Sequence, residues 1–495
     1  MKRFLFLLPF VALACKGGGD VPPPPPPPHP TPPPTASTAI ADADPLGPRP
    51  ALAEPAPFTP PVPTVYKHSS GVTVWLLERH TLPIVSWQLV VQGAAKIESK
   101  EGVAWATANM LDEGAGKRGP LEIARDLDRL GATLQTGAVS DYSFAQLTVL
   151  KKNLGAASAI FSDVIVDPTF SPVEWTRVQN LWLNDLKQRP SDPMAVAKVV
   201  LQRKVFDIGP YAKPVNGTIK GAAKVTLADL KGYYEQNWRP SLSTIVVVGD
   251  VTRAELDPVL DSTFGRWAAA DKRPRSASGS ITKHIADKRH VFLVDRPDAP
   301  QSVIAVGRPG VKSNAPEAPP LVRVNSALGG SFTSRLNQDL REEHGWSYGA
   351  GSRFSWNEQE GIFSAQAAVH TEHTGDALKA MLADIDSLAR EGLTDEEVAK
   401  SRLLARADLV EAFEGVETAA GRLARNAGVG LPATHEAEAS KRLYAASKAD
   451  LQKLAATHLD LSKGVIVVVG PKAKVLPQLE KIGITDVETT GPEGE

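Results

Sequence analysis

The sequence predicts an α+β chain of two homologous lobes, each a mixed or antiparallel sheet with helices packed mainly on one face. Three observations predict it: a long internal repeat, strand and helix signals alternating in each half, and ordinary globular composition behind a proline-rich N-terminus. The segment Asp229–Asp250, DLKGYYEQNWRPSLSTIVVVGD, aligns without gaps on Asp450–Pro471, DLQKLAATHLDLSKGVIVVVGP. The offset in numbering is 450 − 229 = 221. Thr226 and Ser447 each precede an Asp by three residues, the spacing of a helix N-terminal capping box. A period this long is not a solenoid repeat; it implies two similar lobes.

Each element then follows in order. Val72–Leu77 and Ile84–Val91 read as paired strands, rich in β-branched and aromatic residues. Residues 101–113 and 120–130 have helical spacing, with Gly114 and Gly131 placed to cap them. Leu134–Leu150 alternates as a strand pair, and 152–166 and 171–188 return to helix. The second half repeats the plan, with strands near 290–306 and 350–370 and helices near 316–328, 333–343 and 374–391.

The chain has 495 residues, 42% hydrophobic and 22% charged, and a formal net charge of −1, which gives no electrostatic case for a nucleic-acid partner. No segment beyond the N-terminus approaches the ~20 apolar residues of a membrane span. Residues 1–14 read as an export signal: Lys2 and Arg3, then the apolar stretch Phe4–Leu13. Cys15, the single cysteine, stands where a bacterial lipoprotein is cleaved and acylated, although Ala12 replaces the usual Leu of that motif. Residues 15–63 are Pro-, Gly- and Ala-rich and read as a lipidated tether, with an unbroken proline run at Pro22–Pro28. The expected lobes are 64–275 and 289–495, joined by a polar linker at 276–288. The expected location is the bacterial cell envelope, lipid-anchored and periplasm-facing; Lys16 after the cysteine leans toward the outer membrane.

The segment Glu101–Gly114, EGVAWATANMLDEG, has the frame of an inverted zinc-peptidase helix without its ligands. In H-x-x-E-H two histidines at i and i+4 hold the metal and the glutamate acts as general base. Those positions here are Trp105, Ala108 and Asn109. Trp and Ala offer no lone pair to zinc, and an Asn amide is a poor substitute for imidazole. Among the ten histidines only His370-Thr-Glu-His373 forms a close pair, outside that segment. No nucleophile elbow, catalytic cysteine or phosphate loop accompanies them.

With these pieces placed, the chain resembles the pitrilysin/insulinase-like peptidases, in their two-lobe processing-peptidase form. Besides GVAWATANMLDEGAG, the resemblance rests on LDRLGATL (Leu127–Leu134), GPYAKPVNGT (Gly209–Thr218), NWRPSLSTIVVVGDV (Asn237–Val251) and GGSFTSRLNQDLREEHGWSYGAGS (Gly329–Ser352). It implies that Asp185 takes the place of a third zinc ligand, a glutamate in active members. It also implies that Arg341 and Tyr348 face a peptide across a closed chamber, the guanidinium holding a carbonyl or oxyanion and the phenol donating to it.

No metal or other cofactor is expected in this chain; zinc is expected in a partner subunit. The leading expectation is a non-catalytic subunit of a heteromeric zinc metallopeptidase, with a zinc-bearing paralogous subunit and unfolded peptides as partners. The alternatives are a catalytically inert scaffold or peptide-binding lipoprotein, and an independent metallopeptidase using Asp185 with His370 or His373.

Overall fold

The computed structural model describes residues 55–267, 282–283 and 288–495. The export signal, Cys15, the tether up to Glu54 and most of the linker lie outside the described residues. The last part of the segment read as tether is held in place. The Ala56 carbonyl accepts from Arg406, the Phe58 amide donates to the Tyr444 hydroxyl at 3.2 Å, and the Phe58 ring lies 6.4 Å from Phe413.

The first half supplies β1 (Thr64–Lys67), β2 (Thr73–Glu78), β3 (Ile84–Gln92), β4 (Thr133–Ala138) and β5 (Tyr142–Leu150). A short β6 (Phe206–Ile208) precedes β7 (Ser243–Gly249), and β8 (Thr282–Lys283) pairs with β6. The first sheet runs β1-β2-β7-β3-β5-β4. β2 and β3 are therefore not partners, contrary to the sequence expectation. β7, from the far end of the half, lies between them, parallel to β2 and antiparallel to β3. Its unbroken apolar run, with Ile245 to Val248 all buried, suits a central position covered on both faces.

The helices of this half are α1 (Val103–Ala108), α2 (Pro120–Leu130), α3 (Leu154–Val166), α4 (Pro172–Gln188) and α5 (Pro193–Val205). After them come α6 (Ile219–Ala222), α7 (Leu227–Asn237) and α8 (Arg253–Phe264). α1 ends at Ala108, short of the expected Glu113. Beyond it Met110 and Leu111 bond back three residues, so the chain tightens and leaves the helix. Gly114 is no cap; its φ of +130° lies where a Cβ would meet Thr169 Oγ1 at 2.6 Å. Gly131 does cap α2, at φ 59° and ψ 37°.

The second half supplies β9 (His290–Asp295), β10 (Gln301–Gly310), β11 (Ser347–Trp356), β12 (Gly361–His370), β13 (Val465–Gly470) and β14 (Val487–Thr489). Its sheet runs β11-β12-β10-β13-β9-β14, with β13 parallel to β9 and antiparallel to β10. β13 thus has the place of β7, as the repeat requires. Its helices are α9 (Ala318–Leu328), α10 (Arg335–Asn337), α11 (Thr374–Glu391), α12 (Asp395–Glu414) and α13 (Val416–Gly428). α14 (His435–Ala445), α15 (Lys448–His458) and α16 (Lys472–Lys481) complete it. The repeated helices α7 and α15 open with the same capping box, Thr226 with Asp229 and Ser447 with Asp450.

Helices from the same half cover one face of each sheet. The opposite faces are also apolar and need a second cover, which the two halves exchange. On the first sheet Trp75, Leu77, Val90, Val246 and Val248 pack under α13 of the second half, with Ala420, Leu423 and Ala427 buried against them. On the second sheet Val303, Val465, Val467 and Val469 pack under α5 of the first half, through Val196, Val200 and Leu201. Small residues let these helices sit close. A Cβ on Gly428 would come within 2.3 Å of the Tyr142 ring.

Candidate functional site

α1 is entered through Gly102, at φ +83°, where a Cβ would meet the Trp182 ring at 2.5 Å. That ring sets the site. Trp182 projects from α4, donates from Nε1 to the Asn216 carbonyl at 3.0 Å, and packs on Trp105 with centroids 5.3 Å apart. Trp105 joins the first hydrophobic core from its edge, and Ala108 is fully buried. Asn109 turns its amide back on the helix, donating from Nδ2 to the Trp105 carbonyl at 2.8 Å. Asp185, three residues beyond Trp182 on α4, is exposed.

The degenerate positions are therefore brought together, since α1 and α4 meet through Trp105 and Trp182, but what meets is an aromatic contact. An indole, a methyl group, an amide engaged with its own helix and a solvated carboxylate do not fit zinc. Among the described residues no group of three or more His, Cys, Asp or Glu could hold a metal ion. His373 is stacked on Trp346, which stacks on His344, at 5.5 and 4.0 Å between centroids.

Two acids beside α1 are not legible as special in the sequence. Glu98 accepts the amides of Gly102 at 3.1 Å and Ala104 at 3.3 Å, and its burial pushes the carboxyl up to about 8. Burial also pushes Asp112 up to about 6. Glu101 pairs with Lys213 at 2.7 Å and accepts from the Thr218 hydroxyl at 2.8 Å.

In the second half, Arg341 lies in a π-helical turn, Gln338–Glu343, where the sequence predicts an ordinary helix over 333–343. Such turns widen the backbone ring by one residue and recur at functional sites. The Arg341 guanidinium lies 4.7 Å over the exposed Phe332 ring, and its Nε is 3.3 Å from Glu342. Tyr348, near the start of β11, is 85% exposed, and its hydroxyl has no hydrogen-bond partner among the described residues. No hydrogen bond, ion pair or ring contact joins Arg341 or Tyr348 to Trp105, Asn109 or Asp185 among the described residues.

Comparison with known proteins accounts for both halves. Residues 73–219 match the family described as Insulinase (Peptidase family M16), and residues 224–403 match the Peptidase M16 inactive domain. An uncharacterized zinc protease of Bacillus subtilis is 23% identical over 366 residues, 73% of this chain and 87% of that protein. The crystal structure of a peptidase M16 inactive domain from Pseudomonas fluorescens superposes with a TM-score of 0.76 at 23% identity, covering 83% of this chain and 98% of that one. A chain of complex III2 from Candida albicans has the same fold, with a TM-score of 0.70 at 14% identity over 85% of this chain and 97% of that chain. The two family matches together run from residue 73 to residue 403, and the solved folds extend over both halves. The chain belongs to the insulinase-like M16 peptidase family.

Proposed function

We propose that this chain is a non-catalytic subunit of a two-chain zinc peptidase. A paralogous partner would carry H-x-x-E-H, and this chain would supply Arg341, Tyr348 and part of the peptide-binding surface. The observation that carries the reading is a contrast between the halves. In the first, the positions of a zinc site are filled by packing, Trp105 on Trp182 and Ala108 in the core. In the second, Tyr348 presents an unengaged phenol to solvent, and the half-buried Arg341 keeps its guanidinium over the exposed Phe332 ring. A guanidinium and a phenol are both donors suited to a peptide carbonyl or its oxyanion.

An extended peptide can be held by strand addition at a sheet edge. The outer edge of β11 is taken, because Ala350 donates to Asn337 Oδ1 at 2.9 Å and Ser352 to the Gly329 carbonyl at 3.0 Å. β4 ends the first sheet and packs beside α1, which makes it the better edge for such a peptide. The proposed setting is the periplasmic side of the envelope, with the chain anchored through Cys15.

Co-expression with a zinc-bearing paralogue tests the reading. A stable complex is expected, in which Arg341→Ala lowers peptide cleavage roughly 10²-fold, as for loss of one oxyanion donor, while complex formation is retained. No association, or unchanged cleavage by the Arg341→Ala complex, would leave an inert scaffold instead. Stoichiometric zinc and peptide cleavage by the isolated chain would favour an independent metallopeptidase.

A further inference from the structure

A cavity of about 760 Å³ lies between the two halves, beside the exchanged helices. Arg189, Lys198, Lys213, Arg422 and Arg425 line it, with Asp141 as the one acidic side chain among the described residues of its wall. Two of the cations are neutralised locally. Lys213 pairs with Glu101 at 2.7 Å, and Arg422 with Glu436 through two contacts of 2.9 and 3.0 Å. Asp141 is spoken for: it accepts from the Tyr211 hydroxyl at 2.6 Å and from the Glu358 amide at 3.1 Å.

The other three cations have no carboxylate bonded to them among the described residues. Arg189 donates to the Gly217 carbonyl and to Asn216 Oδ1, at 3.1 and 2.6 Å. Arg425 donates to the Trp356 carbonyl at 2.8 Å. Lys198, on α5, has no hydrogen bond or ion pair among the described residues. Burial pushes all three below their usual pKa, and Arg353 adds to the effect at Lys198. Desolvation is the first cause of each shift, and an anion drawn into a partly desolvated cationic concavity would offset that cost.

The position of the cavity says which anion. Its wall includes Val139–Tyr142, the turn that leaves β4. A peptide added along β4 would run to its mouth. We infer that this cavity binds the carboxylates of acidic peptide segments, through Arg189, Lys198 and Arg425. The inference rests on the peptide-binding part of the proposed function and narrows its substrate class. Guanidinium groups match carboxylates in a fork geometry, and charge-assisted bonds are about twice as strong as neutral ones.

The test uses the isolated full chain and dye-labelled octapeptides identical except for Glu, Ser or Lys at two adjacent positions. Fluorescence anisotropy should show the Glu peptide binding at least about tenfold more tightly than the Ser peptide, with the gap shrinking as salt rises. Lys198→Gln should narrow that gap several-fold. This variant removes no hydrogen bond among the described residues, whereas Arg425→Gln also frees the Trp356 carbonyl. Equal binding of the Glu and Ser peptides, no binding of either, or a gap unchanged in Lys198→Gln would overturn the inference. So would displacement of the Glu peptide by sub-millimolar inorganic phosphate, which would assign the cavity to a small anion. Failure of the subunit to find a zinc-bearing partner would not move these readings, so the two ideas fail separately.

Discussion

Trp105, Ala108 and Asn109, at the positions that H-x-x-E-H would occupy, take part in packing and helix hydrogen bonding instead of forming a ligand set. The indole takes the space beside Trp182, and burial of Ala108 leaves no room for a carboxylate. Ala108→Glu should therefore destabilise the chain by roughly 2–4 kcal/mol, read from urea unfolding, since the new charge would be buried without a partner. A stability change near zero would mean that the site still tolerates a ligand. Glu98 offers a pH prediction. Its folded pKa lies above its unfolded value, so between pH ~4.5 and about 8 the unfolded chain releases a proton that the folded chain keeps. This group's contribution must then fall as pH rises through that window. Other groups act in the same range; the half-buried His435 and His458, held below their usual 6.5, contribute with the opposite sign as pH rises toward that value. Comparison with Glu98→Gln isolates the glutamate. The variant should lose less stability than the parent between pH 5 and pH 8, by about 1.4 kcal/mol for each pH unit through which the shift operates. Equal losses would show that Glu98 is charged in the folded state.

At the scale of elements, the exchanged helices α5 and α13 are the parts on which the halves depend. Each lies on a sheet face made by the other half, through leucines that are almost wholly buried, Leu201 and Leu423. Truncating either to Ala should cost about 2–4 kcal/mol by the loss of buried methyl groups and the cavity left behind. Thermal unfolding followed by circular dichroism would measure it. A negligible loss at both sites would mean the helices merely rest on the surface. The helices themselves are only partly legible in the sequence. Periodicity and caps place α4, α7 and α15, because those signals are local. The same reasoning overextends α1, because the chain tightens after Ala108 and by Gly114 runs against Thr169, a residue far along the sequence. The π-helical turn bearing Arg341 has no local signature and reads as plain helix.

For the whole molecule, the exchange makes two sheets one cooperative body. The first half expressed alone, residues 64–275, would leave Trp75, Leu77, Val246 and Val248 uncovered. It should be aggregation-prone, and it should become soluble when the second half is co-expressed. A monomeric, cooperatively unfolding first half in isolation would contradict the interdependence. The repeat foretells two similar sheets, and the matching places of β7 and β13 follow from it. It does not foretell that each sheet borrows a helix from the other half. Nor does it reveal the cationic cavity, whose residues are scattered from Arg189 to Arg425 along the chain.

The α+β class, the twofold repeat, the family frame and the lack of H-x-x-E-H within that frame are all legible in the residues alone. All of these are local patterns or residue identities, so they survive without coordinates. The fold adds that Trp105 packs on Trp182, that Tyr348 is exposed, and that β7 separates β2 from β3. It alone gathered five cations around one cavity. These facts depend on which distant segments meet, and that is settled by burying apolar faces against one another, at separations that no local pattern encodes.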